Sequence, residues 1–267
     1  LTGTDVAKGA ADMVLTDDNY ASIVAAVEQG RIIYANIRKF VFFLLSSNIA
    51  EIMIIFLATL AGLPTPLTAI QLLWLNLITD GAPALALAME RGDPDVMQHP
   101  PRPKTEPIVN RPMRLGIVVQ TIAQTTVTLG AFVFGLGLAL QQTGLGGIDT
   151  VLGFDWTSLV GEQKEMLIRT GETMAFATLS LAELFRAFTV RSERASLLQI
   201  GPFSNRSMLW AVGLSLTLLM LVINVPFLQP FFNTHWLTAT EWAIVAVLAV
   251  VPAIAEELTK AYLRRKP

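Results

Sequence analysis

Six stretches of the sequence are apolar over the length of a membrane-spanning helix, which needs about 20 predominantly apolar residues. Only 15% of the 267 residues are charged and the mean hydropathy is +0.55, whereas charged residues make up about a quarter of an ordinary soluble domain. One such stretch could be the core helix of a large soluble protein, but six in succession predict an all-α membrane protein. The six predicted spans are residues 38–61, 67–89, 114–140, 171–190, 207–228 and 239–262.

The positions of the basic residues predict the orientation of these spans. Of the 19 Lys and Arg residues, only Lys164 and Arg169 fall in the first, third and fifth connectors between spans. The others lie before the first span, in or beside the second and fourth connectors, or after the last span. Because cytoplasmic loops carry an excess of positive charge, we expect both termini to lie in the cytoplasm.

The N-terminal residues 1–30 differ from the rest because they contain no apolar span. The segment DDNYASIVAAVEQG predicts a short soluble helix that one of residues 17–19 caps and that Gly30 ends. A second helix over residues 31–60 would be about 45 Å long, which exceeds a hydrocarbon core of about 30 Å. We therefore expect a cytoplasmic segment at residues 1–30 and a six-helix transmembrane domain at residues 31–267, whose first helix projects from the membrane.

The composition excludes several classes of function. The sequence contains no cysteine and only two histidines, which argues against disulfides, thiolate metal sites and most zinc or copper chemistry. The formal net charge of -2 suggests that the chain has no nucleic-acid partner.

Polar residues near the middle of three predicted spans are the candidate functional residues. An ionisable group there costs about 2.5–3.5 kcal/mol or more, so it normally faces protein or water and has a partner. Every candidate offers oxygen, and none offers sulfur or imidazole, so the group suits a hard cation such as calcium, which takes about 6–8 oxygen ligands. The candidates are Asn48 and Glu51 in SSNIAEI, Asn76, Thr79 and Asp80 in LLWLNLITDGAPALAL, and Glu183 in LSLAELFRAF.

The spacing places the candidates of each of the first two spans on one helical face. The short connector GLPTPL makes these spans antiparallel neighbours, so we expect the two faces to meet. Gly81 and Pro83 predict that the second span unwinds, because Pro83 removes the hydrogen-bond donor for the carbonyl of Thr79. Freed carbonyls are ligands in the broken helices of transporters. Alternatively, Asn48 forms an interhelical hydrogen bond and Thr79 bonds its own backbone.

Glu183 has two possible roles, because Arg186 lies one turn away on the same helix. If Arg186 folds back onto Glu183, the pair supplies a fixed counter-charge and the site holds one ion. If Arg186 extends towards the cytoplasm, Glu183 is free to be a ligand and a second ion can bind, which is the alternative that we favour. Ser46 and Ser47 are interpreted as packing residues.

Four segments resemble the C-terminal third of P-type cation-transporting ATPases, most closely the calcium pumps of the sarcoplasmic-reticulum type and their bacterial relatives. They are ADMVLTDDNYASIVAAVEQGRIIYANIRKF, SSNIAEI, QLLWLNLITDGAPALAL and TMAFATLSLAELFRAF. The resemblance implies that residues 1–30 end the phosphorylation domain and that the six spans are transmembrane helices five to ten. It also implies that the six candidate residues are ion ligands. The sodium/potassium branch usually has Asp at the position of Asn76, which favours calcium, and the heavy-metal branch has cysteines.

The sequence lacks the DKTGT motif of that family, which carries the phosphorylated aspartate, and its magnesium-binding GDGxNDxP motif. We therefore expect a fragment of a pump that does not itself hydrolyse ATP. Its partners would be the lipid bilayer and the missing N-terminal part of the same pump, which would bind ATP and magnesium and supply further ligands from the fourth helix. The connector from Asp93 to Pro103 resembles the loop that docks on the phosphorylation domain. A bacterial cell membrane is the expected location.

Two alternatives remain open from the sequence. The chain could be a self-contained six-helix cation channel or secondary transporter, although such a protein would not need the soluble N-terminal segment. The transported ion could be sodium, potassium or manganese instead of calcium.

Overall fold

The computed structural model of the protein describes residues 3–92, 95–98, 100–101, 103, 106–159, 161–192 and 195–265, with only the backbone of Gln163. These residues contain helices and no β-strand, which confirms the all-α prediction. The helices are α1 (Asp5–Ala10), α2 (Tyr20–Leu60), α3 (Ala69–Trp74), a π-helical turn (Leu75–Thr79), α4 (Gly81–Ala88), α5 (Arg111–Thr143), a 3₁₀ turn (Val151–Gly153), α6 (Glu162–Thr189), α7 (Leu197–Ile200), α8 (Arg206–Asn224), α9 (Gln229–Phe232) and α10 (Ala239–Arg265).

Helix α2 is continuous over 41 residues and is therefore about 60 Å long. The side chain of Asn19 caps its N-terminus by accepting a hydrogen bond of 3.0 Å from the backbone N–H of Ala21. The predicted stop at Gly30 is wrong, because the helix passes through this residue. A glycine inside a helix costs only about 1 kcal/mol relative to alanine, which the long helical segments on both sides outweigh. The domain boundary at residue 30 stays a prediction.

Five helical segments in the described part of the chain are long and apolar enough to cross a membrane. They are Tyr20–Leu60, Ala69–Ala88, Arg111–Thr143, Arg206–Asn224 and Ala239–Arg265, and they coincide with five of the six predicted spans. The remaining prediction, residues 171–190, overlaps the C-terminal part of α6, which is not among the five. That α6 also crosses the membrane stays a prediction.

Helix α6 lies at the centre of the bundle and packs against α5 and α10. Ala175 and Phe176 in its middle are completely buried. At Gly135 and Gly171 the backbones of α5 and α6 approach so closely that a Cβ atom on Gly135 would lie 2.7 Å from the Cα atom of Gly171. Because protein surrounds the middle of α6, the polar side chains there face other helices, and this part of the helix tolerates more charge than the five apolar segments.

A charged junction joins the end of the second span to the residues that follow α6 and to the N-cap of α8. Glu90 accepts hydrogen bonds from Arg191, of 2.8 Å from Nε and 2.9 Å from Nη2, and one of 2.7 Å from Nδ2 of Asn205. Burial alone would raise the pKa of Glu90, but the hydrogen bonds from Arg191 and Asn205 outweigh it and hold this pKa below the ordinary value. The junction therefore contributes more to folding when Glu90 is ionised.

The predicted docking loop from Asp93 to Pro103 follows this junction. Positions 93, 94, 99 and 102 lie outside the described residues. Among the others, Val96 accepts a hydrogen bond of 2.9 Å at its carbonyl from Nη1 of Arg31 on α2. The loop is therefore tied to α2, and its docking role stays a prediction.

Candidate ion-binding site

The second span widens into a π-helical turn at Leu75–Thr79, where the N–H of Asp80 donates to the carbonyl of Leu75 at 2.8 Å. Helix α4 then continues from Gly81. The prediction that the span unwinds at Gly81 and Pro83 is therefore wrong, because the irregular backbone is a π turn and it lies before Gly81. A π turn keeps most backbone groups bonded, which costs less inside a membrane than an open, non-helical segment. Pro83 still offers the carbonyl of Thr79 no helical donor.

A side chain from α8 binds the backbone of this turn. The hydroxyl of Ser215, which is buried, donates a hydrogen bond of 3.0 Å to the carbonyl of Ile78. Sequence reasoning missed this residue, although a serine in an apolar segment is a recognisable signal. Ser215 therefore helps to fix the π turn from the neighbouring helix.

The predicted polar faces of α2 and the second span meet at one hydrogen bond. Nδ2 of Asn76 donates to Oε2 of Glu51 at 2.9 Å and also lies 3.0 Å from the carbonyl of Leu72 in its own span. Glu51 is buried, and its Oε1 has no hydrogen-bond partner among the described residues. The expectation that the two faces meet is thus supported at Glu51 and Asn76.

Asp80 and Glu183 are both completely buried and lie within electrostatic range of each other and of Glu51. In the described part of the chain, no other residue donates a hydrogen bond to the carboxyl oxygens of Asp80 or Glu183, but the two carboxyls lie close enough to share a side-chain hydrogen bond when one of them is protonated. Thr79 is also buried beside Asp80. The structure thus brings α6 to the polar face of the second span, as expected for a shared site.

The two asparagines are less enclosed than the acidic residues. Asn48 is half-buried and its Nδ2 donates to the carbonyl of Leu44 at 2.7 Å, so its hydrogen bond lies within its own helix rather than between helices. Asn76 is exposed despite its bond to Glu51. The candidate site is therefore open on the side of these two amides.

This geometry limits how an ion could bind. Among the described residues, no three His, Cys, Asp or Glu side chains lie close enough together to hold one metal ion. A hard cation would therefore need amide, hydroxyl or backbone oxygens beside the carboxylates, which calcium accepts readily. The buried carboxyl oxygens without partners need a proton or a cation, because an uncompensated buried charge is very costly.

Arg186 takes neither of the two predicted positions, since it does not extend outward and does not hydrogen-bond to Glu183. It is completely buried and donates to Oγ of Ser46 at 2.7 Å and to Oγ of Ser47 at 3.3 Å. Its Nε lies 3.5 Å from Oε2 of Glu256 on α10. Ser46 and Ser47 are therefore hydrogen-bond acceptors rather than packing residues only, and the Glu256 partner was missed, although it is a carboxylate inside a predicted span.

The apolar helices and the buried acidic centre define a multi-pass membrane protein. A sequence profile for the family described as "Cation transporting ATPase, C-terminus" matches residues 64–262. The chain therefore belongs to the C-terminal membrane region of the P-type cation-transporting ATPases, which confirms the resemblance noted from its motifs.

Several curated proteins are similar over almost the whole chain. Calcium-transporting ATPase 1 of Bacillus cereus is 40% identical over 97% of the chain and 28% of its own length. A calcium-transporting ATPase of Bacillus subtilis is 39% identical over 94% of the chain and 25% of its length. An endoplasmic reticulum calcium ATPase of Aspergillus fumigatus is 38% identical over 99% of the chain and 28% of its own length. The chain thus spans about a quarter of the length of these relatives.

Proposed function

We propose that the chain forms part of the membrane domain of an ATP-driven pump that exports calcium. The observation that carries this proposal is the pair of adjacent buried carboxyls, Asp80 and Glu183, whose oxygens receive no hydrogen bond from any other described residue. They lie beside a π-helical turn, a feature that is frequent at functional sites. The ligands would come from the six predicted residues, namely Asn48, Glu51, Asn76, Thr79, Asp80 and Glu183.

Calcium is the proposed ion because it accepts a mixed set of carboxylate, amide, hydroxyl and carbonyl oxygens. The printed names of the three relatives all describe calcium ATPases. The open side at Asn48 and Asn76 suits a further ligand-bearing helix, such as the fourth helix of the family. Sodium, potassium and manganese are the alternative ions.

The remainder of the pump would bind ATP and magnesium and carry the phosphorylated aspartate. We propose that the motion of those parts of the pump reaches the ion site through α2. This continuous helix begins at Tyr20, in the segment proposed to lie in the cytoplasm, and contains the site residue Glu51. Both termini would face the cytoplasm of a bacterial cell. This placement rests on the distribution of basic residues.

The proposal is tested by ATP-driven uptake of ⁴⁵Ca²⁺ into inverted membrane vesicles that contain the complete pump polypeptide. We expect uptake by the wild type and its loss in Asp80→Asn, because a neutral amide cannot replace the charge of a buried carboxylate. Asp155→Asn, an exposed change of the same chemistry, is the control and should retain uptake. Full uptake by Asp80→Asn at unchanged calcium affinity would contradict the proposed role of this residue.

A second measurement separates the pump from the channel alternative. The chain alone is reconstituted into liposomes that contain a calcium-sensitive dye and no ATP. We expect no calcium flux above that of protein-free liposomes. A flux that Asp80→Asn removes would instead favour a self-contained channel.

A further inference from the structure

The guanidinium group of Arg186 lies in a pocket built by residues 42–47 of α2. Besides its hydrogen bonds to Ser46 and Ser47, its Cζ atom lies 5.9 Å from the ring centre of Phe42 and 5.6 Å from that of Phe43. These distances are within the range of cation–π attraction, about 6 Å. Serine hydroxyls and aromatic rings orient a guanidinium, but they carry no formal negative charge to neutralise it.

Ser46 is already oriented to accept a bond from Arg186. Its Oγ lies 2.7 Å from the carbonyl of Phe42 and 3.0 Å from the carbonyl of Phe43, so its single hydroxyl hydrogen is directed to the backbone of α2. Its lone pairs therefore face Arg186. The local structure of α2 thus holds the guanidinium in place but leaves its charge to another residue.

A carboxylate within ion-pair distance of Arg186 comes from the last helix. Glu256 is buried, and its Oε2 lies 3.5 Å from Nε of Arg186 without hydrogen-bonding geometry. Asp80 and Glu183 also lie within electrostatic range of Arg186. If Glu256 lost its charge, these two site residues would be the remaining buried carboxylates near the guanidinium.

We propose that Glu256 is a positioning residue for cation binding, because its charge compensates Arg186 and leaves Asp80 and Glu183 available to a divalent cation. This inference rests on the proposed function. With the Arg186–Glu256 pair neutral, Glu51, Asp80 and Glu183 supply the negative charge of the site. Without Glu256, the positive charge of Arg186 opposes the incoming cation and attracts the carboxylates that would bind it.

The test uses the complete pump and measures the calcium concentration that gives half-maximal phosphorylation from ATP. In Glu256→Gln this concentration should rise about tenfold, which corresponds to about 1.4 kcal/mol of binding free energy. The double variant Arg186→Gln/Glu256→Gln should return to within about twofold of the wild type, because both charges are then absent. Glu256→Asp, which keeps the charge, should lie between the wild type and Glu256→Gln.

Glu257→Gln is the matched control, since this residue follows Glu256 on α10 but its carboxylate binds Lys260 at 2.9 Å instead of Arg186. Glu257→Gln should leave the calcium concentration for half-maximal phosphorylation unchanged. Each value is normalised to the amount of folded pump measured by size-exclusion chromatography.

Three outcomes would overturn the inference. An unchanged calcium requirement in Glu256→Gln would show that the charge of Glu256 does not affect the site. An equal loss in Glu256→Gln and in the double variant would show that the residue acts through packing. A wild-type pump without calcium-dependent phosphorylation would overturn the proposed function itself, and the inference with it.

Discussion

Nδ2 of Asn76 lies 2.9 Å from Oε2 of Glu51, and this hydrogen bond joins the π-helical turn of the second span to the C-terminal part of α2. Because the amide donates through its nitrogen, its carbonyl oxygen remains available as an acceptor. The bond therefore holds Asn76, a neutral candidate ligand, against Glu51, an acidic candidate ligand. A movement of α2 would change the position of both.

Asn76→Ala should weaken calcium binding by at least about tenfold, because hydrogen bonds to charged groups are worth about 1.5–3 kcal/mol and a ligand oxygen is lost as well. Glu51→Gln should weaken binding further. If the hydrogen bond matters, the double variant should show less than the sum of the two losses in binding free energy. Calcium-dependent phosphorylation of the complete pump provides the measurement.

Asn224→Ala is the control for Asn76→Ala, because the amide of Asn224 donates to the carbonyl of Met220 in its own helix at 2.8 Å. Its calcium requirement should match the wild type. Strictly additive losses in the Glu51 and Asn76 double variant would argue against coupling between these two residues.

Ser215→Ala should raise the calcium requirement by about threefold to tenfold, because it removes a hydrogen bond of about 1 kcal/mol from the carbonyl of Ile78 in the π turn. Thr217→Ala lies on the same helix, but its hydroxyl bonds the carbonyl of Gly213 within α8 and is exposed. It should therefore behave as the wild type. Equal effects of the two variants would show that α8 does not act through the π turn.

Glu90→Gln should lower the thermal stability of the protein in detergent near pH 7, because breaking a buried ion pair costs about 3–5 kcal/mol. The folded-state pKa of Glu90 lies below its ordinary value of 4.5. The contribution of this carboxylate is therefore complete above pH 4.5 and is lost as the pH falls through the lower, folded-state pKa. The difference in melting temperature between wild type and Glu90→Gln should shrink accordingly.

Glu162→Gln, at an exposed position in the first turn of α6, is the control for the pH series. Its melting temperature should follow that of the wild type at every pH. A difference in melting temperature between wild type and Glu90→Gln that stays constant down to pH 3 would contradict the assigned role of the ionised carboxylate.

Gly30→Ala should stabilise α2 by up to about 1 kcal/mol, because a Cβ atom at this position meets nothing within 4 Å among the described residues. Gly30→Pro should destabilise it by about 3 kcal/mol, since proline removes a hydrogen bond inside a continuous helix. Protection of the amides of residues 20–40 from hydrogen exchange would report both effects. Equal protection in the two variants would indicate that the helix is broken at Gly30.

Local features of the sequence were sufficient to predict several elements correctly. The apolar spans follow from composition because a bilayer selects helices by length and hydropathy, whatever their neighbours. The Asn19 cap is likewise a contact between residues close in sequence. The meeting of Glu51 and Asn76 was predictable because a short connector forces their helices to be adjacent.

The places where charges of distant helices meet depend on helix packing. Arg186 pairs with Glu256 rather than Glu183 because the rotation of α6 and its packing beside α2 and α10 direct the guanidinium between those helices, and no local periodicity encodes that arrangement. Ser215 reaches the π turn for the same reason. Local sequence is enough to establish the long apolar helices and the polar residues inside them, whereas the packing order of the helices sets which of those residues are partners.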